Sequence, residues 1–248
     1  LPELHWFKKN TRAIANALSI RNTTAAYDEA IVALSGLEGF LKSSIAEQRS
    51  GKGNQGLLAY LLYPPPGTEA VPDESIVYLM SLLLFAGQET VSDAIGNGVY
   101  LLSAQPDALE WLMSDGSNRL PGAVEEILRY EPPVQYAVTR TAAMDILIGE
   151  SWIRQGDPVT VVIGAASRDG RKFESPDRFD VSRQIAGDTL VFGKGIHVCL
   201  GIHLARLTLR IAFDQLLRHL PSNWRLVAPP VWREGLSLRG PASLPIAW

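Results

Sequence analysis

Apolar residues recur at three- and four-residue steps between about Ala26 and Arg49. Ile31, Leu34, Leu37, Leu41 and Ile45 fall on one face of a helix that Ser50-Gly51 stops. A short helical piece around Leu57 to Tyr63 is broken by Pro64-Pro65-Pro66-Gly67, and Pro72-Asp73-Glu74 begins the next helix. No proline interrupts the chain from there to about Ser103, which predicts a helix of roughly 30 residues, about 45 Å at 1.5 Å per residue. Gln105-Pro106-Asp107 opens a helix to about Asp115, and Pro121 opens another over Gly122 to Tyr130 that Pro132-Pro133 ends. The period then changes. Gln135 to Ala142, Asp145 to Gly149 and Asp157 to Ile163 are short, rich in Val, Ile and Thr, and read as a small antiparallel sheet. A long irregular connection through Arg168-Asp169-Gly170 and Pro176 to Asp180 leads to an apolar helix, Leu200 to Leu220. In that helix Leu204, Leu207 and Ile211 are expected inside, and Arg206, Arg210, Asp214 and Arg218 form the wet stripe. Trp224 to Val227 and Leu236 to Leu244 resemble further hairpin segments. The fold class is mainly α with small antiparallel sheets (α+β), read as a single domain over residues 1–248.

Three places break this apolar logic. In the long helix, Leu82-Leu83-Leu84-Phe85 runs into Ala86-Gly87-Gln88-Glu89-Thr90, which puts an acid and an alcohol among apolar neighbours. A buried carboxylate without a partner is costly. Either Glu89 finds an arginine while Thr90 bonds back to the Ala86 carbonyl, or a loosened turn borders a cavity and handles protons. Glu126 and Arg129, three apart, meet on one helical face, as an ordinary surface pair would. The glycine-rich loop Val191 to Gly201 carries the chain's one cysteine, Cys199, at the head of a helix, where the dipole and unpaired N–H groups favour a thiolate. That sulfur suits a nucleophile or a metal ligand; a lone cysteine is also often a small buried apolar residue.

Composition narrows the field little. The chain has 248 residues, 46% of them hydrophobic, and a formal net charge of -3 without a basic run, so neither nucleic acid nor a charged membrane surface is suggested. One cysteine allows no internal disulfide, which fits a cytoplasmic location. The apolar segment near Ile76 to Phe85 is too short to span a bilayer, and Leu1 to Lys9 lacks a signal-peptide core.

Together the pieces resemble the heme-thiolate monooxygenases called cytochrome P-450. Phe192-Gly193-Lys194-Gly195-Ile196-His197-Val198-Cys199-Leu200-Gly201 looks like the family's heme loop, and Ala86-Gly87-Gln88-Glu89-Thr90 like its oxygen-activating turn. Glu126-Ile127-Leu128-Arg129 matches its Glu-x-x-Arg helix. Pro176-Asp177-Arg178-Phe179 is similar to the segment that completes that ion network, and Ser167-Arg168-Asp169 to a further segment, with Gly170 where proline is usual.

The resemblance implies a P-450 fold of the soluble bacterial-like type, truncated at the N-terminus and representing its C-terminal portion. It implies heme b, with Cys199 as the axial iron ligand and Ala86, Arg140, Phe192, Gly193, His197, Cys199 and Gly201 around the cofactor. Arg140 and His197 match propionate-binding positions. Glu89 and Thr90 take the acid and alcohol roles in oxygen activation. Glu126, Arg129 and Arg178 become a structural network. The implied reaction inserts one oxygen atom from O2 into a hydrophobic small molecule. Electrons come from a ferredoxin or flavodoxin type donor docking near Lys194 and Arg206. The alternative is a truncated, non-catalytic heme-binding or interaction module. A cysteine hydrolase is disfavoured because no activated dyad is apparent.

Overall fold

The computed structural model describes residues 2–18, 23–51, 56–185, 189–221 and 223–248. Eight helices, α1 to α8, and eight short strands, β1 to β8, are assigned among them. The chain forms two compact units, Leu1–Glu89 and Thr90–Trp248.

The first unit holds α1 (Pro2–Ala17), α2 (Thr24–Arg49), α3 (Leu57–Leu62) and the opening turns of α4 (Asp73–Ser103). Thr23 caps α2 by accepting the Ala26 N–H at 3.2 Å. The buried stripe of α2 is Ala30, Ala33, Leu37, Leu41 and Ile45, whereas Ile31 and Leu34, expected inside, are 60% and 44% exposed. Small residues decide this. A side chain at Gly36 would come within 3.3 Å of Trp6, and Ala30 and Ala33 continue the same ridge, so α1 settles close along it and turns the larger neighbours outward. Ile76, Val77, Leu41 and Ile45 form a second small core under α3.

The second unit is built on the rest of α4, with α5 (Pro106–Ser114), α6 (Gly116–Tyr130), α7 (Ile163–Ala166) and α8 (Ile202–His219). Its core joins Leu101, Leu102, Leu112, Val124, Ile127, Leu209 and Phe213. Close packing is fixed at Gly98, where a Cβ would lie 2.3 Å from the Phe213 ring. The α6 helix starts at Gly116, earlier than expected, and accommodates Pro121 inside it. Its extra turn hangs on Asp115, whose carbonyl accepts the Arg119 N–H at 3.1 Å.

Stripes on α8 differ from the expectation. Leu209 and Phe213 are buried, while Leu204, Leu207 and Ile211 are 68%, 51% and 54% exposed. Arg206, assigned to the wet stripe, instead turns inward toward Glu125 of α6.

The predicted single sheet resolves into two ladders, β1 (Arg140–Thr141) with β4 (Pro158–Val159) and β2 (Ile146–Ile148) with β3 (Ser151–Ile153). The tail forms β5 (Arg225–Leu226) with β8 (Ile246–Ala247) and β6 (Val231–Trp232) with β7 (Pro241–Ser243). All four ladders are antiparallel.

By length and composition α4 is long and apolar enough to cross a membrane, a length that the apolar segment Ile76 to Phe85 within it does not reach alone. It nevertheless carries buried polar groups with protein partners. Asp93 pairs with Arg233 at 3.0 Å, and Asn97 Nδ2 donates to the carbonyls of Glu131 and Arg239 at 3.1 and 2.9 Å. These bonds tie the β6–β7 hairpin to α4. Gly240 is obligatory at the crossing, since a Cβ there would sit 2.3 Å from Asp93 Oδ1.

Candidate heme-thiolate site

The cysteine loop is a chain of backbone hydrogen bonds turned by two glycines. Gly193 donates its N–H to the Leu190 carbonyl at 2.9 Å, and Gly193 and Gly195 adopt φ of 73° and 81°, where a side chain would be strained. Gly195 to His197 make a single tight turn, closed by the Val198 N–H on the Gly195 carbonyl at 3.0 Å. The Cys199 N–H then reaches back to the Phe192 carbonyl at 2.8 Å.

Cys199 does not begin α8 itself. It lies two residues before Gly201, the N-cap residue, whose carbonyl accepts the Ala205 N–H at 2.8 Å. Cys199 therefore precedes the first turn, and its carbonyl accepts the Ile202 N–H at 3.3 Å. A Cβ on Gly201 would lie 4.0 Å from Sγ, so glycine keeps that side of the sulfur open.

Cys199 is exposed, as are Ile196 (97%), Val198 (47%) and Leu200 (82%). Val191 is buried, and Phe192 packs against the core as the anchor of the loop. His197 is exposed on the loop, and Arg140, exposed on β1, makes no ion pair among the described residues. An open apolar loop that carries a sulfur and a histidine fits a flat apolar ring edged with carboxylates, and the uncommitted Arg140 guanidinium is of the type that binds a carboxylate. The donor set thus suits heme b, with Cys199 the residue able to ligate iron.

The acid and alcohol turn lies in an unbroken stretch of α4. Glu89 is 3% exposed; its Oε1 accepts from the Thr11 hydroxyl at 2.9 Å, and its Oε2 stands 3.9 Å from Arg12 Nε. Of the two readings, the arginine partner is present, and a hydroxyl joins it. Both partners lie on α1, 78 positions from Glu89 in the case of Thr11, and no local pattern announces them. Thr90 is half-buried, Ala86 is exposed, and nothing lies within 4 Å of where a side chain on Gly87 would point. Space therefore adjoins the turn.

Glu126 and Arg129 are no surface pair. Both are fully buried, joined by Arg129 Nε to Glu126 Oε2 at 2.7 Å and Nη2 to Oε1 at 2.8 Å. Arg129 also donates to the carbonyls of Ser167 and Pro176, each at 2.9 Å, and of Arg178 at 3.2 Å. The third side chain of the network is Arg183, not Arg178. Arg183 Nε lies 3.3 Å from Glu126 Oε2 with its side chain 14% exposed, whereas the Arg178 guanidinium is 74% exposed and only 3.9 Å from Asp180. Arg178 contributes its carbonyl, to both Arg129 and Arg183. Arg183→Ala is accordingly expected to cost about 1–3 kcal/mol by stranding part of Glu126, and Arg178→Ala less than about 0.5 kcal/mol. Urea denaturation of the two variants separates them.

The neighbouring Ser167-Arg168-Asp169 segment wraps the same helix. Arg168 donates to the Tyr130 carbonyl at 2.7 Å and lies 3.6 Å over the Tyr130 ring. Hydrogen bonds from the Arg171 side chain and N–H hold the Asp169 carboxyl down to about 2.

Residues 35–230 match the family described as Cytochrome P450, and the chain belongs to that family. It is 41% identical over 210 residues to cytochrome P450 107B1 of Saccharopolyspora erythraea, covering 84% of this chain and 51% of that one. To the cytochrome P450 monooxygenase PikC of Streptomyces venezuelae it is 38% identical over 222 residues, 89% of this chain and 53% of the relative. Among solved structures, Mycobacterium smegmatis CYP164A2 with econazole bound superposes with a TM-score of 0.89 at 34% identity, covering all of this chain and 62% of that one. The chain thus spans about half the length of these curated relatives. It has the mainly helical fold of the bacterial members it matches, and the family's cofactor is heme.

Proposed function

We propose that the chain is the heme-carrying part of a monooxygenase that inserts one atom of O2 into a hydrophobic small molecule. Two electrons and two protons are consumed, and the second oxygen atom leaves as water. What carries this reading is the sole cysteine, held exposed by a glycine-turned loop at the head of α8. The bound heme supplies oxygen activation, and a thiolate ligand favours O–O cleavage, an effect for which this family is the standard example. Cys199 provides the sulfur. The start of α8, two residues on, favours its negative charge. Arg140 and His197 orient the cofactor's carboxylates, Gly193 lets backbone approach its face, and Phe192 fixes the loop from the core side. Ala86 leaves room on α4. Glu89 and Thr90 hold and pass the protons that cleavage consumes, Glu89 moving between its bond to the Thr11 hydroxyl and the open side of the turn. Residues 1–248 serve together as one heme-binding domain, acting in the cytoplasm.

The electron donor is a ferredoxin or flavodoxin type protein docking on the cysteine-loop face. Lys194, exposed there, offers a cation; Arg206 is already committed to Glu125 and contributes little free charge. Thr90→Ala in the heme-loaded protein is expected to lower product formed per electron by about 10²-fold when O2 and a donor chain drive turnover. Turnover driven by hydrogen peroxide should be spared. Product assays under the two regimes test this, and equal rates for wild type and variant in both would remove Thr90 from the mechanism.

A further inference from the structure

The α6 helix carries two successive acids with separate duties. Glu126 belongs to the buried arginine network. Glu125 turns to the other side and takes the Arg206 guanidinium in a two-pronged bond, Nε to Oε1 at 2.6 Å and Nη2 to Oε2 at 2.9 Å. That geometry fixes the plane of the guanidinium as well as its charge. The plane lies over the Phe192 ring, 5.0 Å from its centroid. Phe192 is the residue whose carbonyl holds the Cys199 N–H.

Arg206 therefore touches the cysteine loop from behind and Glu125 holds Arg206 in place. Side-chain exposures of 31% and 19% put the pair in a partly desolvated position, where its attraction is screened less than at an open surface. The Glu125 hydrogen bonds also raise the Arg206 pKa above its ordinary value, so the guanidinium stays charged at any working pH.

We infer that Glu125 and Arg206 are the positioning pair of the cysteine loop: the fork on α6 and α8 pins the Phe192 ring, and through its carbonyl the Cys199 backbone and the direction of the sulfur. Neither residue touches the sulfur. The two residues act through Phe192, a link distinct from the Glu126, Arg129 and Arg183 network even though Glu125 adjoins Glu126 in sequence. The purpose of the pinning rests on reading Cys199 as an iron ligand; the pinning itself does not.

Hydrogen exchange on the full chain without added cofactor tests the pair. Glu125→Gln keeps the shape and removes the charge, and Arg206→Gln removes the fork. Both are expected to speed exchange of the Cys199 amide by about tenfold or more while amides of Leu209 and Phe213 on α8 stay as slow as in the native sequence. Unchanged exchange at Cys199 in folded variants would overturn the inference. So would acceleration spread equally over α8, or failure of both variants to fold, since either would make the pair a general prop. Because no heme enters the measurement, its failure leaves the ligand reading standing, and a failure of heme binding leaves the loop result standing.

Discussion

Arg129→Leu is expected to abolish stable folding. Breaking a buried ion pair by removing one member costs about 3–5 kcal/mol, because the remaining charge has no water to turn to. Against a typical total of about 5–15 kcal/mol, that is a large share. Here the loss goes further than the pair. Arg129 also satisfies the carbonyls of Ser167, Pro176 and Arg178, and Glu126 accepts the Asp180 N–H at 2.8 Å. The usual remedy, replacing both charges with apolar residues, should therefore fail. Glu126→Leu with Arg129→Leu would strip the Ser167 and Pro176 carbonyls and the Asp180 N–H of these partners and leave the Arg183 charge without its carboxylate. Circular dichroism with urea titration checks both variants. A double variant as stable as the native chain would show that the network is dispensable.

Cys199→Ala should leave the fold intact and remove the heme. The side chain is exposed, packs into no apolar core, and makes no disulfide, so its truncation is expected to change stability by less than about 0.5 kcal/mol. Retention of heme through gel filtration, by contrast, should fall to background, since no other cysteine exists to supply a thiolate. Absorbance across the eluted protein peak measures that retention alongside an unchanged circular dichroism spectrum. Full heme retention in the variant would assign the ligand elsewhere.

The parts of the molecule legible in the sequence are those written in local chemistry. Pro72 and Pro106 bracket α4, and glycines mark the cysteine loop, because backbone rules act over a few residues. Contacts set by distant packing were not legible. The choice of Ala30 and Ala33 over Ile31 and Leu34 depends on how closely α1 approaches, and α1 itself was not anticipated. Arg178 and Arg183 lie five apart in one irregular stretch; only the path of the backbone decides which guanidinium reaches Glu126. Likewise Arg206 reads as part of a four-residue polar stripe until Glu125, 81 positions away, is seen to claim it. Thr11 and Arg12, the partners of Glu89, belong to the same class.

The cysteine, however, organises both kinds of information. Its glycine turns are legible in the sequence, and the packing adds what adjoins that loop: the core against Phe192, Arg206 from α8 over the Phe192 ring, and Glu125 on Arg206. The proposed function requires Cys199 to place a thiolate on heme iron. Adding hemin to the native chain, reducing it and recording the carbon monoxide difference spectrum tests that directly. The predicted result is the thiolate-type band. Heme bound with only the band of a nitrogen ligand would contradict it, as would no heme bound even when the chain is joined to the remainder of a family-length protein.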